Sequence, residues 1–187
     1  MDIDMNRGRL LLAFAAAATV AALALAQGNA YLPVGEAAPA ISGTGTDGKA
    51  YSIPNKGKPS YVIFWKERCP HNKRASALFN ALNKAYEGKV QVVGVVNASA
   101  DGAKAWVEQF SLNYPLLADP DKATIGAYKL RYSITSMEIG ADGKVAKVFE
   151  GYGADSIKAM NEAMAAAAGV KPAEIDLSGA PGRLTWG

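Results

Sequence analysis

The chain's strongest pattern is an apolar run of β type, Ser60-Tyr61-Val62-Ile63-Phe64-Trp65. It breaks off into the charged triplet Lys66-Glu67-Arg68 and is followed by Cys69-Pro70-His71-Asn72-Lys73-Arg74. So few polar residues predict a central strand buried on both faces. From Lys73 the period changes to helical. Leu78, Phe79, Leu82, Ala85 and Tyr86 share one face, and Gly88 ends it. Val90 to Val96 reads as a second buried strand, and Asp101 is positioned to cap a helix carrying Trp106, Val107 and Phe110. Leu116 to Asp121 leads to a short helix ending near Tyr128. Ile134 to Ile139 and Val145 to Phe149 read as strands joined by a hairpin turn at Ala141-Asp142-Gly143. Asp155 or Ser156 starts a last helix with Ile157, Met160 and Met164, ended by Gly169.

Ahead of the central run, Thr46-Asp47-Gly48-Lys49 signals a turn and Ala50 to Ile53 a short strand, with a loop at 54–59. Residues 27–45 show no periodicity and read as an extended lead-in. Leu10 to Ala26 is an apolar, Ala-rich stretch after Arg7 and Arg9, and Ala24-Leu25-Ala26 has the small-x-small form of a cleavage site. A secretory signal peptide at 1–26 is the leading reading and an uncleaved membrane anchor the rival. With no cysteine after the apolar stretch, lipoprotein processing is not supported. The expected organisation is therefore 1–26 signal or anchor, 27–45 lead-in, 46–170 a single domain, and 171–187 a tail packed through Leu184 and Trp186.

Two strand–helix units imply a parallel pair with a right-handed crossover, and the hairpin extends it to a mixed sheet with helices on both faces, an α/β three-layer sandwich. The 187 residues are 50% hydrophobic and 20% charged, which suits one ordinary globular domain. The net charge of +3 has no Lys/Arg cluster behind it, so nucleic acid is not expected as a partner.

The chain has 1 Cys and 1 His. That excludes an internal disulfide and a Cys-rich zinc site, and Cys69 with His71 lacks the further ligands a metal needs, so neither a metal nor a cofactor is expected. A thiol where a strand feeds a helix sits at the positive end of the helix dipole. Arg68 beside it and His71 in the first turn also favour thiolate, and the Asn72 amide is placed to donate to the sulfur. Cys69, Pro70, His71, Asn72 and Arg68 are the candidate site. Two readings of Cys69 stand side by side, a reactive nucleophile and an inert thiol in a domain kept for binding. His71 is either a tuning group or an exposed polar residue of a first turn. Trp65, Trp106 and Phe110 are read as packing.

Several stretches in order carry a family resemblance: Gly35-Glu36-Ala37-Ala38-Pro39, Asp47-Gly48-Lys49, Phe64-Trp65 ahead of Cys69-Pro70, Val93-Gly94-Val95, Leu117-Ala118-Asp119-Pro120-Asp121, Ala127-Tyr128 and Ile139-x-x-Asp142-Gly143-Lys144. Over about residues 34–168 the chain resembles the thioredoxin-like superfamily, in its redoxin branch of TlpA-like and AhpC/TSA-like exported proteins. The resemblance implies a thioredoxin-like sandwich and thiol chemistry at Cys69. The Cys-Pro-His order is that of bacterial periplasmic disulfide oxidases, which implies a strongly acidic cysteine.

The chain departs from the family pattern at four places. Asn72 stands where the second cysteine of Cys-x-x-Cys would be, and Ile63 stands at an often polar position. Ile134 aligns with the cis-proline, where a trans bond is expected because non-proline cis bonds are costly. The peroxiredoxin Thr and Arg positions fall at Lys66 and near Ile134, with Arg131 an unaligned substitute. A two-cysteine redoxin resolves its mixed disulfide with its second thiol; this chain has none to offer. The expectation is an exported, periplasmic or extracytoplasmic monothiol redoxin. Its partner would be a protein thiol or disulfide or a small thiol, with membrane association through residues 10–26 if the anchor is kept. The alternatives are a non-catalytic interaction module and a 1-Cys peroxidase.

Overall fold

Two short strands precede the central run. In the computed structural model, which describes residues 31–55, 57–183 and 185, β1 (Ile41–Thr44) and β2 (Ala50–Ile53) pair antiparallel around the Asp47-Gly48 turn. There follow β3 (Ser60–Trp65), α1 (Asn72–Ala85), β4 (Gln91–Val96), α2 (Ala100–Phe110), β5 (Leu116–Ala118), α3 (Ala123–Ala127), β6 (Thr135–Ile139), β7 (Val145–Glu150) and α4 (Ala154–Ala168). The expectations for residues 1–26 and for Leu184 and Trp186 lie outside the described residues. Among the described residues no helix is long and apolar enough to cross a membrane.

The main sheet runs β5-β4-β3-β6-β7. β3, β4 and β5 are parallel; β6 and β7 join antiparallel, so the sheet is mixed. The pleat of β3 sends Tyr61, Ile63 and Trp65 into one core and Val62 and Phe64 into the other. The first core is closed by α1, α2 and α4 through Leu78, Phe79, Trp106, Ile157 and Met164. The second is closed by Leu32, Ile41 and Ile53 and by Tyr128 at the end of α3. This is the expected α/β three-layer, thioredoxin-like architecture. Gly94 lies where β4 meets β5 and Trp65. A Cβ there would stand 2.2 Å from Leu116 Cδ2, so a larger residue would force the Leu116 side chain to shift.

Four local expectations are corrected. The lead-in is not featureless: Ile41–Thr44 forms β1, Leu32 N–H donates to Tyr128 C=O at 2.8 Å, and Ala37 bridges Lys144. Leu116–Ala118 is a strand, carried by its ladder with Gly94–Val96. The α2 cap is Ser99, whose hydroxyl accepts the Gly102 N–H at 3.1 Å, and Asp101 sits inside the first turn. The Ser133–Ile134 peptide is cis, not trans. Tertiary bonds on both sides override the intrinsic preference: Ser133 Oγ accepts the Lys66 N–H at 3.1 Å, and Ile134 C=O accepts the Gly151 N–H at 2.9 Å.

The tail from residue 171 turns back over α4. Ile175, Leu177 and Ala180 pack on the first core, and Pro181 C=O accepts the Ala154 N–H at 3.1 Å. The tail therefore reaches the loop between β7 and α4.

Glu138, opposite Tyr61 in the ladder, is half-buried, and burial raises its carboxyl above the usual range against the opposing pull of Lys147 and Tyr61. A carboxyl raised in the folded state costs stability as pH climbs through its folded value. Glu138→Gln is expected to melt at a higher temperature than the parent near pH 7, with the gap closing near pH 3 where both side chains are neutral. Melting curves with the same gap at both pH values would contradict this.

Candidate active site around Cys69

The loop between β3 and α1 hangs from three other segments. Lys66 N–H donates to Ser133 Oγ at 3.1 Å and Glu67 N–H to Asn97 Oδ1 at 2.8 Å, which ties the loop to the segments entering β6 and leaving β4. Within the loop, Cys69 N–H donates to Lys66 C=O at 3.0 Å and Asn72 N–H to Cys69 C=O at 3.3 Å. These turns place Cys69 just ahead of the first residue of α1. Cys69 is 7% exposed; Pro70 and Arg68 are exposed.

Asn72 does not serve the sulfur as expected. Both amide hydrogens go to the loop, to Lys66 C=O at 2.9 Å and Glu67 C=O at 3.3 Å. The side chain is 2% exposed, and its Oδ1 is buried without a partner. Asn72 is thus a staple for the loop, and the bonds it donates fix which end of the amide is the nitrogen.

His71 is the N-cap of α1 but makes no side-chain cap bond. Its Nδ1 instead lies 2.9 Å from Tyr152 Oη, with ring centroids 5.7 Å apart. Tyr152 is the residue that sequence reasoning missed. It comes from the loop after β7, and Gly151 before it has φ +63° and binds Ile134 C=O. Burial raises the Tyr152 phenol above its ordinary value. The Arg74 guanidinium opposes that rise and Cys69 adds to it, so both lie near enough to act on the phenol. It keeps its proton at neutral pH and has one to offer His71.

The structure therefore brings Cys69, His71, Tyr152 and Arg74 together. Pro70 and Arg68 lie on the exposed side of the loop. The first turn of α1 holds Lys73 and Arg74 and no acidic residue. Among the described residues no group of three or more His, Cys, Asp or Glu is placed to hold a metal ion.

Comparison with known proteins agrees with the fold. Residues 34–148 match the model of the AhpC/TSA family, a span that ends short of Tyr152. Thiol-disulfide oxidoreductase ResA of Bacillus thuringiensis (strain Al Hakam) is 30% identical over 117 residues, 61% of this chain and 68% of ResA. A candidate thiol:disulfide interchange protein DsbE from Chlorobium tepidum superposes with a TM-score of 0.65 at 24% identity, over 73% of this chain and 99% of that one. Peroxidoxin BcpB from Mycobacterium tuberculosis superposes with a TM-score of 0.59 at 16% identity, over 75% and 99%. At these identities the two structures are similar in fold alone.

Proposed function

The chain belongs to the AhpC/TSA family, and from that premise we propose that it is an exported monothiol redoxin whose Cys69 performs thiol–disulfide or antioxidant-type exchange, resolved by a thiol from another molecule. The observation that carries the reading is the clustering at the strand–helix junction. Cys69 is held there by loop bonds to Lys66 and Asn72, next to His71 with its Tyr152 contact and ahead of a first helical turn that carries Lys73, Arg74 and no acidic residue. Positive charge at that junction is complementary to the thiolate form that attacks in exchange. The single cysteine sets the rest. Cys69 attacks a disulfide, a mixed disulfide forms, and its release falls to an external thiol. The partner is a protein thiol or disulfide, or a small thiol. ResA, similar over the same region, is named for thiol–disulfide chemistry, which supports the reading.

One observation favours a second reading, a non-catalytic interaction module: Cys69 is only 7% exposed. Alkylation by iodoacetamide near pH 6 separates the two. Under the redox reading Cys69 in the full chain is labelled faster than a model thiol. His71→Ala and Tyr152→Phe each slow labelling by roughly three- to tenfold, and the double variant is no slower than the slower single variant, since the two side chains act as one positioning unit. Labelling no faster than the model thiol would give the second reading preference.

A further inference from the structure

At the C-terminal ends of β3 and β4, beside the root of the Cys69 loop, the surface opens into a groove of ≈ 200 Å³. Its floor is apolar, built from Phe64, Ile125 and Leu130, and its rim carries Lys66, Lys122 and Arg131. All three cations are exposed, no acidic residue lines the groove, and none of the three forms an ion pair among the described residues. Asp119, close in sequence, is buried and does not line the groove; its two carboxylate oxygens accept the Thr124 and Ile125 N–H groups at 3.1 and 2.9 Å. Unneutralised positive charge around an apolar floor is complementary to a solute with carboxylates on a short aliphatic frame. The groove is also joined to the thiol by covalent structure. Lys66 lends its side chain to the rim, while its C=O accepts the Cys69 N–H at 3.0 Å and the Asn72 amide at 2.9 Å.

We propose that this groove binds a low-molecular-weight thiol bearing carboxylates, seated on Lys66, Lys122 and Arg131 with its sulfur toward Cys69. The occupant then supplies the thiol that a one-cysteine chain lacks. The groove's volume lies below that of a drug-sized ligand site, which favours a small solute over a polypeptide segment. The inference rests on the reading of Cys69 as an exchanging thiol and names its co-reactant. In the reaction it implies, the Cys69 thiolate attacks the small-thiol sulfur of a mixed disulfide between a protein and that thiol. The Cys69–small-thiol S–S bond forms as the original S–S bond breaks, and the protein leaves as a thiolate. A second small thiolate attacks the bound small-thiol sulfur, releasing the Cys69 thiolate and the small-molecule disulfide. In net, the second small thiolate is raised to the disulfide level, the first stays at that level throughout, and the protein sulfur is reduced to its thiolate, while Cys69 returns unchanged.

Glutathione disulfide, which is anionic, and cystamine, which is cationic, serve as probes of the full chain. Rates of mixed-disulfide formation at Cys69 are followed by mass spectrometry, each pair divided by the same pair for N-acetylcysteine. The expected ratio favours glutathione disulfide by about tenfold at low salt. It falls toward unity in Lys122→Gln/Arg131→Gln and at high ionic strength. S-methylglutathione, which cannot exchange, is expected to bind by calorimetry to the parent and not to the double variant. A ratio near one in the parent, with no S-methylglutathione binding, overturns the groove assignment while leaving exchange at Cys69 standing. A Cys69 that reacts with neither disulfide overturns the redox reading, and with it the role given to the groove's occupant.

Discussion

On the redox reading proposed for Cys69, Asn72→Cys is expected to turn a chain that stalls at the mixed disulfide into one that clears it unaided. Cys69 C=O accepts the residue-72 N–H at 3.3 Å, so the two residues stand a single turn apart. Such a turn brings the Cα atoms within about 7 Å, inside or at the edge of disulfide reach. The new thiol would be fixed in the first turn of α1, where its effective concentration at the mixed disulfide far exceeds that of millimolar external thiol. The lifetime of a mixed disulfide at Cys69, trapped with a model disulfide and followed by mass spectrometry, should fall by at least about 100-fold. The oxidised variant should lack two hydrogens relative to the reduced one. The substitution also removes the bonds from the Asn72 amide to Lys66 and Glu67, at a cost of about 1–3 kcal/mol. Asn72→Ala carries that cost without the thiol and gives the baseline for loop loosening. A mixed disulfide that persists in Asn72→Cys as long as in Asn72→Ala would mean that the loop does not present residue 72 to Cys69, against the geometry described above.

How much of this was legible in the sequence follows from how local each signal is. β3 and α1 could be read because their patterns are long: six buried residues in a row, then an amphipathic face of Leu78, Phe79 and Leu82. Trp65 was readable as core from its place in the run, and it packs edge-on against Phe79 and Trp106 at 5.5 and 5.2 Å. β1 and β5 escaped because four and three residues cannot display a period, and β1 buries only Ile41. The α2 cap was misplaced because Ser99 and Asp101 both qualify by type, and only the backbone decides between them.

The site divides in the same way. The absence of a second thiol is a count, and Cys69 with His71 is a local pair, so both lay on the surface of the sequence. What Asn72 does was not legible, because its acceptors are backbone carbonyls that any residue at 66 and 67 would offer. Tyr152 lies 81 residues from His71, and its only signal was an aromatic residue between Gly151 and Gly153 directly after a strand. The cis bond at Ile134 was hidden for a related reason: a proline advertises the geometry, whereas an isoleucine adopts it only through contacts with Lys66 and Gly151.

Tyr86→Phe is expected to be strongly destabilising although it removes one oxygen atom. Tyr86 leaves the end of α1 fully buried, and its hydroxyl bonds to Asn161 Oδ1 on α4, with Asn161 C=O also at 3.1 Å. The same hydroxyl accepts the Ala173 N–H at 3.0 Å, while Asn161 Nδ2 donates to Ala173 C=O at 2.8 Å. One hydroxyl therefore ties the helix that carries the site to α4 and to the start of the tail. Its removal strands a buried amide oxygen and a backbone N–H, and each such group costs about 1–3 kcal/mol. A total loss of roughly 2–6 kcal/mol is expected, read as a Tm drop of about 5 °C or more. Because the tail continues to Pro181, which holds Ala154 two residues from Tyr152, hydrogen exchange should quicken at 173–180 and also at 152–154. Replacing both partners, in Tyr86→Phe/Asn161→Leu, should cost less than the sum of the single changes, since neither polar group is then left alone. Tyr86→Phe with a Tm unchanged within about 2 °C and tail protection intact would show that the tail is held by apolar packing of Ile175 and Leu177 alone. The loop bearing Tyr152 would then owe its position to β7 and the Gly151–Ile134 bond.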